Sequence, residues 1–229
     1  METSLPTGLV IAIDGPSGSG KSSASKGVAR ALSLQYLDTG AMYRALTWWF
    51  MSEQADTGDA ALVAQRAAEP AVEVSTDPDD PWTRVNGKDV SSEIRTPEVS
   101  AQVSAVARVP AVRDHLIAQQ RAIIAAAEPG IVAEGRDIGT VVAKDATLKV
   151  FLTADPGARA RRRAAELRAD TAETEAAQAR RDRLDAAQSE KAADALLLDA
   201  TDLTLEQVIE KITRLARERT MACAGDKSS

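Results

Sequence analysis

Apolar residues recur along the chain in two alternating rhythms. Leu9-Val10-Ile11-Ala12-Ile13 is a short continuous apolar run, of the kind that a strand buried on both faces shows. A Gly/Ser-rich turn follows. Then Ala24, Val28, Ala29 and Leu32 fall at helical spacing, which predicts a helix over residues 21–32. Short runs at residues 35–37, 131–133, 147–152 and 195–198 predict further strands, with helical patterns between them. Strands that alternate with helices imply an α/β fold: a doubly wound parallel sheet of five strands with helices on both faces.

Two segments break the rhythm. Over residues 72–90, Val72 and Val74 alternate with polar positions, Asp77-Pro78-Asp79-Asp80-Pro81 is a turn cluster, and Asn86-Gly87 is a hairpin signal. This predicts a small antiparallel insert. Residues 159–183 are rich in Arg, Ala and Glu with little apolar stripe, which predicts a charged helical hairpin standing off the core. The last helix is better marked: Thr204 and Gln207 have capping-box spacing, and Leu205, Val208, Ile209, Ile212 and Leu215 form one apolar face. The tail after Thr220 is expected to fray.

Composition changes this picture only at the margins. A length of 229 residues suits one α/β core with small appendages. The formal net charge of −6 argues against non-specific binding to nucleic acid or an anionic membrane. A single cysteine, Cys223, excludes an intramolecular disulfide framework and a cysteine-rich zinc site. The opening METSLPTG has no basic stretch followed by a long apolar one, and no apolar run approaches the roughly 20 residues of a membrane span. A cytoplasmic protein, acting as a monomer, is expected.

The chemistry begins in the turn after the first strand. Gly15, Pro16, Ser17, Gly18, Ser19, Gly20, Lys21 and Ser22, with Ser23 next, fit the pattern G-x-x-x-x-G-K-[ST] in full. Glycines let backbone N–H groups curl around a β-phosphate. Lys21 supplies a cation between β- and γ-phosphates, and the Ser22 hydroxyl is placed to ligate Mg²⁺. The helix that follows turns its N-terminus to the anion. The motif implies a nucleoside triphosphate with Mg²⁺ and leaves the reaction open. Two later runs narrow it. Leu37-Asp38-Thr39-Gly40-Ala41-Met42-Tyr43-Arg44 follows the second strand, and Glu134-Gly135-Arg136-Asp137-Ile138-Gly139-Thr140 follows the third. They supply guanidinium forks for a phosphate and carboxylates for a donor.

With those runs on view, the chain resembles the bacterial cytidylate kinase family from end to end. The strings that carry the likeness are IDGPSGSGKSS, LDTGAMYR, GKDVSSEIRTPEVS, VPAVR, EGRDIGTVV, FLTA and RRDRLD. The resemblance implies ATP and CMP or dCMP as substrates. It implies that Thr39, Arg44 and Arg136 hold the CMP phosphate and that Ser104, Arg113 and Asp137 read cytosine. Arg181 would lie near the acceptor phosphate and Asp185 near the ribose hydroxyls. It also divides the chain into a core (8–62, 121–155 and 193–219), a CMP-binding region with the insert (about 63–120) and a lid (about 156–185), followed by the tail 220–229. The base assignment agrees with hydrogen-bond chemistry. Cytosine offers an N4 donor beside an N3 acceptor, so Asp137 can accept and Arg113 can donate, whereas uracil reverses the pattern. Each mismatch would leave buried polar groups unpaired, at roughly 1–3 kcal/mol.

A phosphate monoester needs no dedicated base, so catalysis would rest on position and charge. Lys21 and the lid residues Arg159 and Arg162 are the catalytic candidates, against the alternative of a solvated arginine face. Glu134 could hold a water on Mg²⁺ or be structural. His115, Trp48, Trp49 and Trp82 are read as packing or surface residues. The sequence departs from the family where an arginine is expected at Gln188, with Arg183 or Lys191 as substitutes. Two other readings therefore stand: another P-loop nucleoside monophosphate kinase, or a nucleotide-binding relative impaired in catalysis.

Overall fold

A computed structural model describes residues 8–167, 171–185 and 189–225. Gln188, the side chains of Arg181 and Cys223, and residues 226–229 lie outside what is described. The chain divides into two compact units, residues 1–36 with 127–229 and residues 37–126.

The first unit is built on a parallel sheet of five strands in the order β2-β6-β1-β7-β8. The strands are β1 (Leu9–Asp14), β2 (Gln35–Asp38, within which the division falls), β6 (Gly130–Gly135), β7 (Leu148–Thr153) and β8 (Leu196–Asp199). β1 lies in the middle, paired with β6 from Leu9↔Gly130 to Asp14↔Gly135 and with β7 from Ile11↔Leu148 to Asp14↔Phe151. It can be apolar from Leu9 to Ile13 because helices flank the sheet. Helix α1 (Lys21–Leu32) buries Ala24, Val28, Ala29 and Leu32, the positions its spacing marks, and ends where Ser33 turns left-handed. These side chains join Leu9, Ile11, Ile13, Val150 and Leu152 of the sheet and Val208, Ile212 and Ala216 of the last helix, α8 (Leu205–Gly225), in one apolar cluster. Burial of each large aliphatic side chain is worth about 1.5–3 kcal/mol. The capping box forms at the start of α8: Thr204 N–H donates to Gln207 Oε1 at 2.9 Å and Gln207 N–H to Thr204 Oγ1 at 3.3 Å. The helix continues to Gly225, past the point where fraying was expected.

Helices α6 (Pro156–Leu167) and α7 (Thr171–Asp185) form the charged hairpin and pack on each other. It does not stand off the core. Buried Ala160 and Ala164, one turn apart, give α6 a thin apolar face, Ala158 is buried on another side, and small side chains leave little signal in a sequence pattern. Arg159 and Arg162 reach backbone carbonyls of the loop between β1 and α1.

The second unit contains α2 (Thr39–Ser52), α3 (Ala60–Arg66), α4 (Pro97–Ala107) and α5 (Pro110–Ala126), with a three-stranded antiparallel sheet of β3 (Val72–Val74), β4 (Thr83–Val85) and β5 (Lys88–Asp89). Asn86 and Gly87 join β4 to β5, both with positive φ, as a tight primed turn requires. Trp49 packs edge-on against Phe50, and Arg84 stacks over Trp82. His115 lies on α5, with its Nε2 3.3 Å from Gln119 Nε2. Among the described residues no helix is long and apolar enough to cross a membrane.

Candidate active site

The turn from β1 into α1 is shaped by close approach. A Cβ at Gly15, whose φ is +150°, would fall on the carbonyl oxygen of Leu152 in β7, so only glycine fits there. Lys21 Nζ donates to the Pro16 carbonyl at 2.8 Å, folding the ammonium back over the loop. Ser22 is the second residue of α1, in the turn whose N–H groups lack helical partners. Ser19 is 1% exposed, and its hydroxyl has no hydrogen-bond partner among the described residues. A buried hydroxyl without a partner, just before the N-terminus of α1, suits a phosphate oxygen. Ser22 offers Mg²⁺ one hard oxygen, which fits a cation that takes most of its ligands from nucleotide phosphates and water.

Two acidic groups frame this turn. Asp14, at the end of β1, is 5% exposed and accepts from the N–H groups of Ile138 and Gly139, both at 2.8 Å. Burial pushes its carboxyl above the usual range, against the pull of those two amides. Glu134, buried in β6, accepts a 2.5 Å hydrogen bond from the Tyr36 hydroxyl, so at least one of its oxygens serves the sheet.

Arg136 follows β6 directly. Its Nη1 donates to the Gly15 carbonyl at 3.1 Å, and its Nη2 lies 3.0 Å from Asp185 Oδ2. Asp137 is buried beside it, before a single wide turn over residues 138–142. The hairpin adds three residues of α7 at helical spacing. Gln178 lies against Gly18 and the Arg159 carbonyl, Asp182 holds Arg159, and Asp185 holds Arg136. Arg159 donates from Nε to Ala154 O at 3.2 Å and from Nη1 to Ser17 O at 3.1 Å and Asp182 Oδ2 at 2.6 Å. Arg162 donates to Ala200 O at 2.6 Å and to Ser19 O at 3.5 Å. These two are not a solvated arginine face. Lys191 is engaged by the carbonyls of Ala192 and Ala195, and Arg183 is exposed.

The other expected site residues belong to the second unit. Asp38 caps α2 by accepting from Ala41 N–H at 3.0 Å, so the run is helix from Thr39 onward. Thr39 is buried in its first turn. Arg44 donates to Ser100 Oγ at 2.8 Å and to Ile94 O at 3.4 Å. Ser104 is buried on α4, which packs on α2, and Arg113 is half-buried on α5. Asp14, Tyr36, Gln178 and Asp182 were not anticipated. Asp14 stood in plain view before the glycine turn, a carboxylate ending an apolar strand.

A family profile described as cytidylate kinase matches residues 11–218. A cytidylate kinase of Streptomyces griseus is 49% identical over 230 residues, covering 97% of this chain and all of that protein. Another from Mycolicibacterium paratuberculosis is 46% identical over 226 residues, covering 94% of this chain and 98% of that one. A crystal structure of an uncharacterized protein from Eubacterium ventriosum aligns over 93% of this chain and 99% of its own, with a TM-score of 0.51 and 12% identity. That likeness shows the fold alone.

Proposed function

The chain belongs to the cytidylate kinase family, and from that premise we propose how its residues divide the transfer of the γ-phosphoryl group from ATP to CMP or dCMP. The products are ADP with CDP or dCDP. The loop from Gly15 to Ser23 takes the triphosphate, with backbone N–H groups, the Ser19 hydroxyl and Lys21 meeting phosphate oxygens. Ser22 and the nucleotide phosphates would hold Mg²⁺, with Glu134 in reach of a water beside it, and the cation would supply charge neutralisation for the transfer. Thr39, Arg44, Arg136 and Arg181 take the acceptor phosphate, Ser104, Arg113 and Asp137 take the base, and Asp185 takes the ribose. Arg159 and Arg162 of the lid hairpin lower the charge on the transferred oxygens, and the closed hairpin keeps water away from them. No general base is assigned, because the acceptor monoester is already an anion. The enzyme works as a cytoplasmic monomer.

The observation that carries this division is the bond from Arg136 Nη1 to the Gly15 carbonyl at 3.1 Å. It ties an arginine assigned to the acceptor to the first residue of the donor loop, which an in-line transfer requires. The test is ADP production from Mg·ATP with CMP, dCMP, UMP, AMP and GMP as separate acceptors, beside a control without acceptor. Turnover confined to CMP and dCMP is expected. A preference for UMP or AMP would overturn the base assignment, and ATP binding without any turnover would favour an impaired relative.

A further inference from the structure

The ends of β1 and β6 are joined twice, in opposite directions. Asp14 and Gly135 are the last paired residues of the two strands. Beyond them, the Asp14 carboxylate reaches the backbone of Ile138 and Gly139, and the Arg136 guanidinium reaches the backbone of Gly15. A side chain from each loop thus ends on the main chain of the other. We propose that Asp14 is a positioning residue for phosphoryl transfer, which fixes the corner bearing Arg136 and Asp137 at a set reach from the phosphate loop. This rests on the assignment of the acceptor phosphate to Arg136.

The chemistry of the clasp explains why a carboxylate stands there. Two successive N–H groups need two acceptor oxygens on one rigid side chain, and an aspartate supplies them at 2.8 Å each. An asparagine would offer one oxygen and turn its own N–H₂ toward the second N–H. The carboxylate is also an expensive choice for stability alone, because it is buried on a strand end that an apolar or neutral side chain could fill. Gly139 closes the arrangement from the far side. A Cβ there would come 3.1 Å from Lys149 Cδ and 3.4 Å from Asp14 Oδ2, so a methyl group would press on the Lys149 side chain and touch the Asp14 carboxylate.

The experiment compares Asp14→Asn, Gly139→Ala and Arg136→Ala with the parent full-length chain. For each, melting temperature, affinity for an ATP analogue with a non-transferable γ-phosphate, and kcat and KM with CMP are measured. Asp14→Asn is expected to bind the ATP analogue as the parent does and to lose about a hundredfold in kcat with CMP, as for a reacting group displaced by about 1 Å. Gly139→Ala, crowding the clasp from the other side, is expected to show the same split, and it decides the matter if Asp14→Asn fails to fold. Unchanged kcat and KM in Asp14→Asn would overturn the proposal. So would a loss of analogue affinity by the same factor as kcat, since the phosphate loop itself would then be at fault. If Arg136→Ala leaves turnover of CMP unchanged, the acceptor assignment has failed instead.

Discussion

Arg159 and Asp182 are joined by a 2.6 Å hydrogen bond between Nη1 and Oδ2, and the same Nη1 donates to the Ser17 carbonyl at 3.1 Å. One guanidinium therefore fastens helix α7 to the phosphate loop. Both side chains are largely buried, 11% and 25% exposed, so the bond is of the charge-assisted kind that water competes for weakly.

Asp182→Ala should loosen that fastening without touching the phosphate loop. ATP hydrolysis in the absence of CMP is expected to rise while turnover with CMP falls, because a less firmly held hairpin admits water. ADP release with and without CMP measures both. Unchanged hydrolysis without acceptor would mean that the pair does not govern closure.

Lys21→Met should leave the fold intact and cost about a hundredfold to a thousandfold in kcat, the usual effect of deleting one preorganised charge at a transition state. The ammonium lies over the loop at Pro16, not in the apolar cluster, so a large fall in melting temperature would argue against this reading.

Asp14 makes stability depend on pH in a direction opposite to most carboxylates. Burial raises its folded pKa above the ordinary 3.8 despite the bonds from Gly139 and Ile138. Below that ordinary value both states carry the proton and nothing is lost. As pH rises from it through the raised folded value, the unfolded chain ionises more readily, so stability falls. Asp14→Asn should remove this slope. Urea unfolding of parent and variant across the acid range gives the difference, which is expected to shift in favour of the variant as pH rises.

Thr204→Ala removes one half of the capping box of α8 and should cost about 1 kcal/mol in urea unfolding. Kinetic constants with CMP are expected to stay as they are, since α8 takes no part in the assigned site.

Local features were legible in the sequence where a pattern and its punctuation fell within a dozen residues. Helix α1 has the predicted bounds because a glycine turn, a helical stripe and a stop follow in succession. Asn86-Gly87 names its own turn. The clasp of Asp14 was invisible because its partners lie 124 and 125 residues away and are backbone amides, which no side-chain motif encodes. The docking of α6 and α7 was misjudged for a different reason. Alanine packing and carbonyl-bound arginines both look like solvent-exposed composition, and only the fold shows that Gln178, Asp182 and Asp185 share one face.

The apolar cluster of the first unit joins Leu9 and Ile11, from the first strand, to Val208, Ile212 and Ala216, from the last helix. During synthesis the ribosome delivers the strands long before the helix that completes this cluster. Helix α1 covers part of that side of the sheet early, but the cluster cannot be sealed until α8 has left the exit tunnel. Contacts between residues this far apart form slowly, and an uncovered apolar sheet is prone to self-association. A chain stalled before residue 205 would remain in that condition, so messages broken ahead of α8 should yield insoluble product instead of a shortened enzyme.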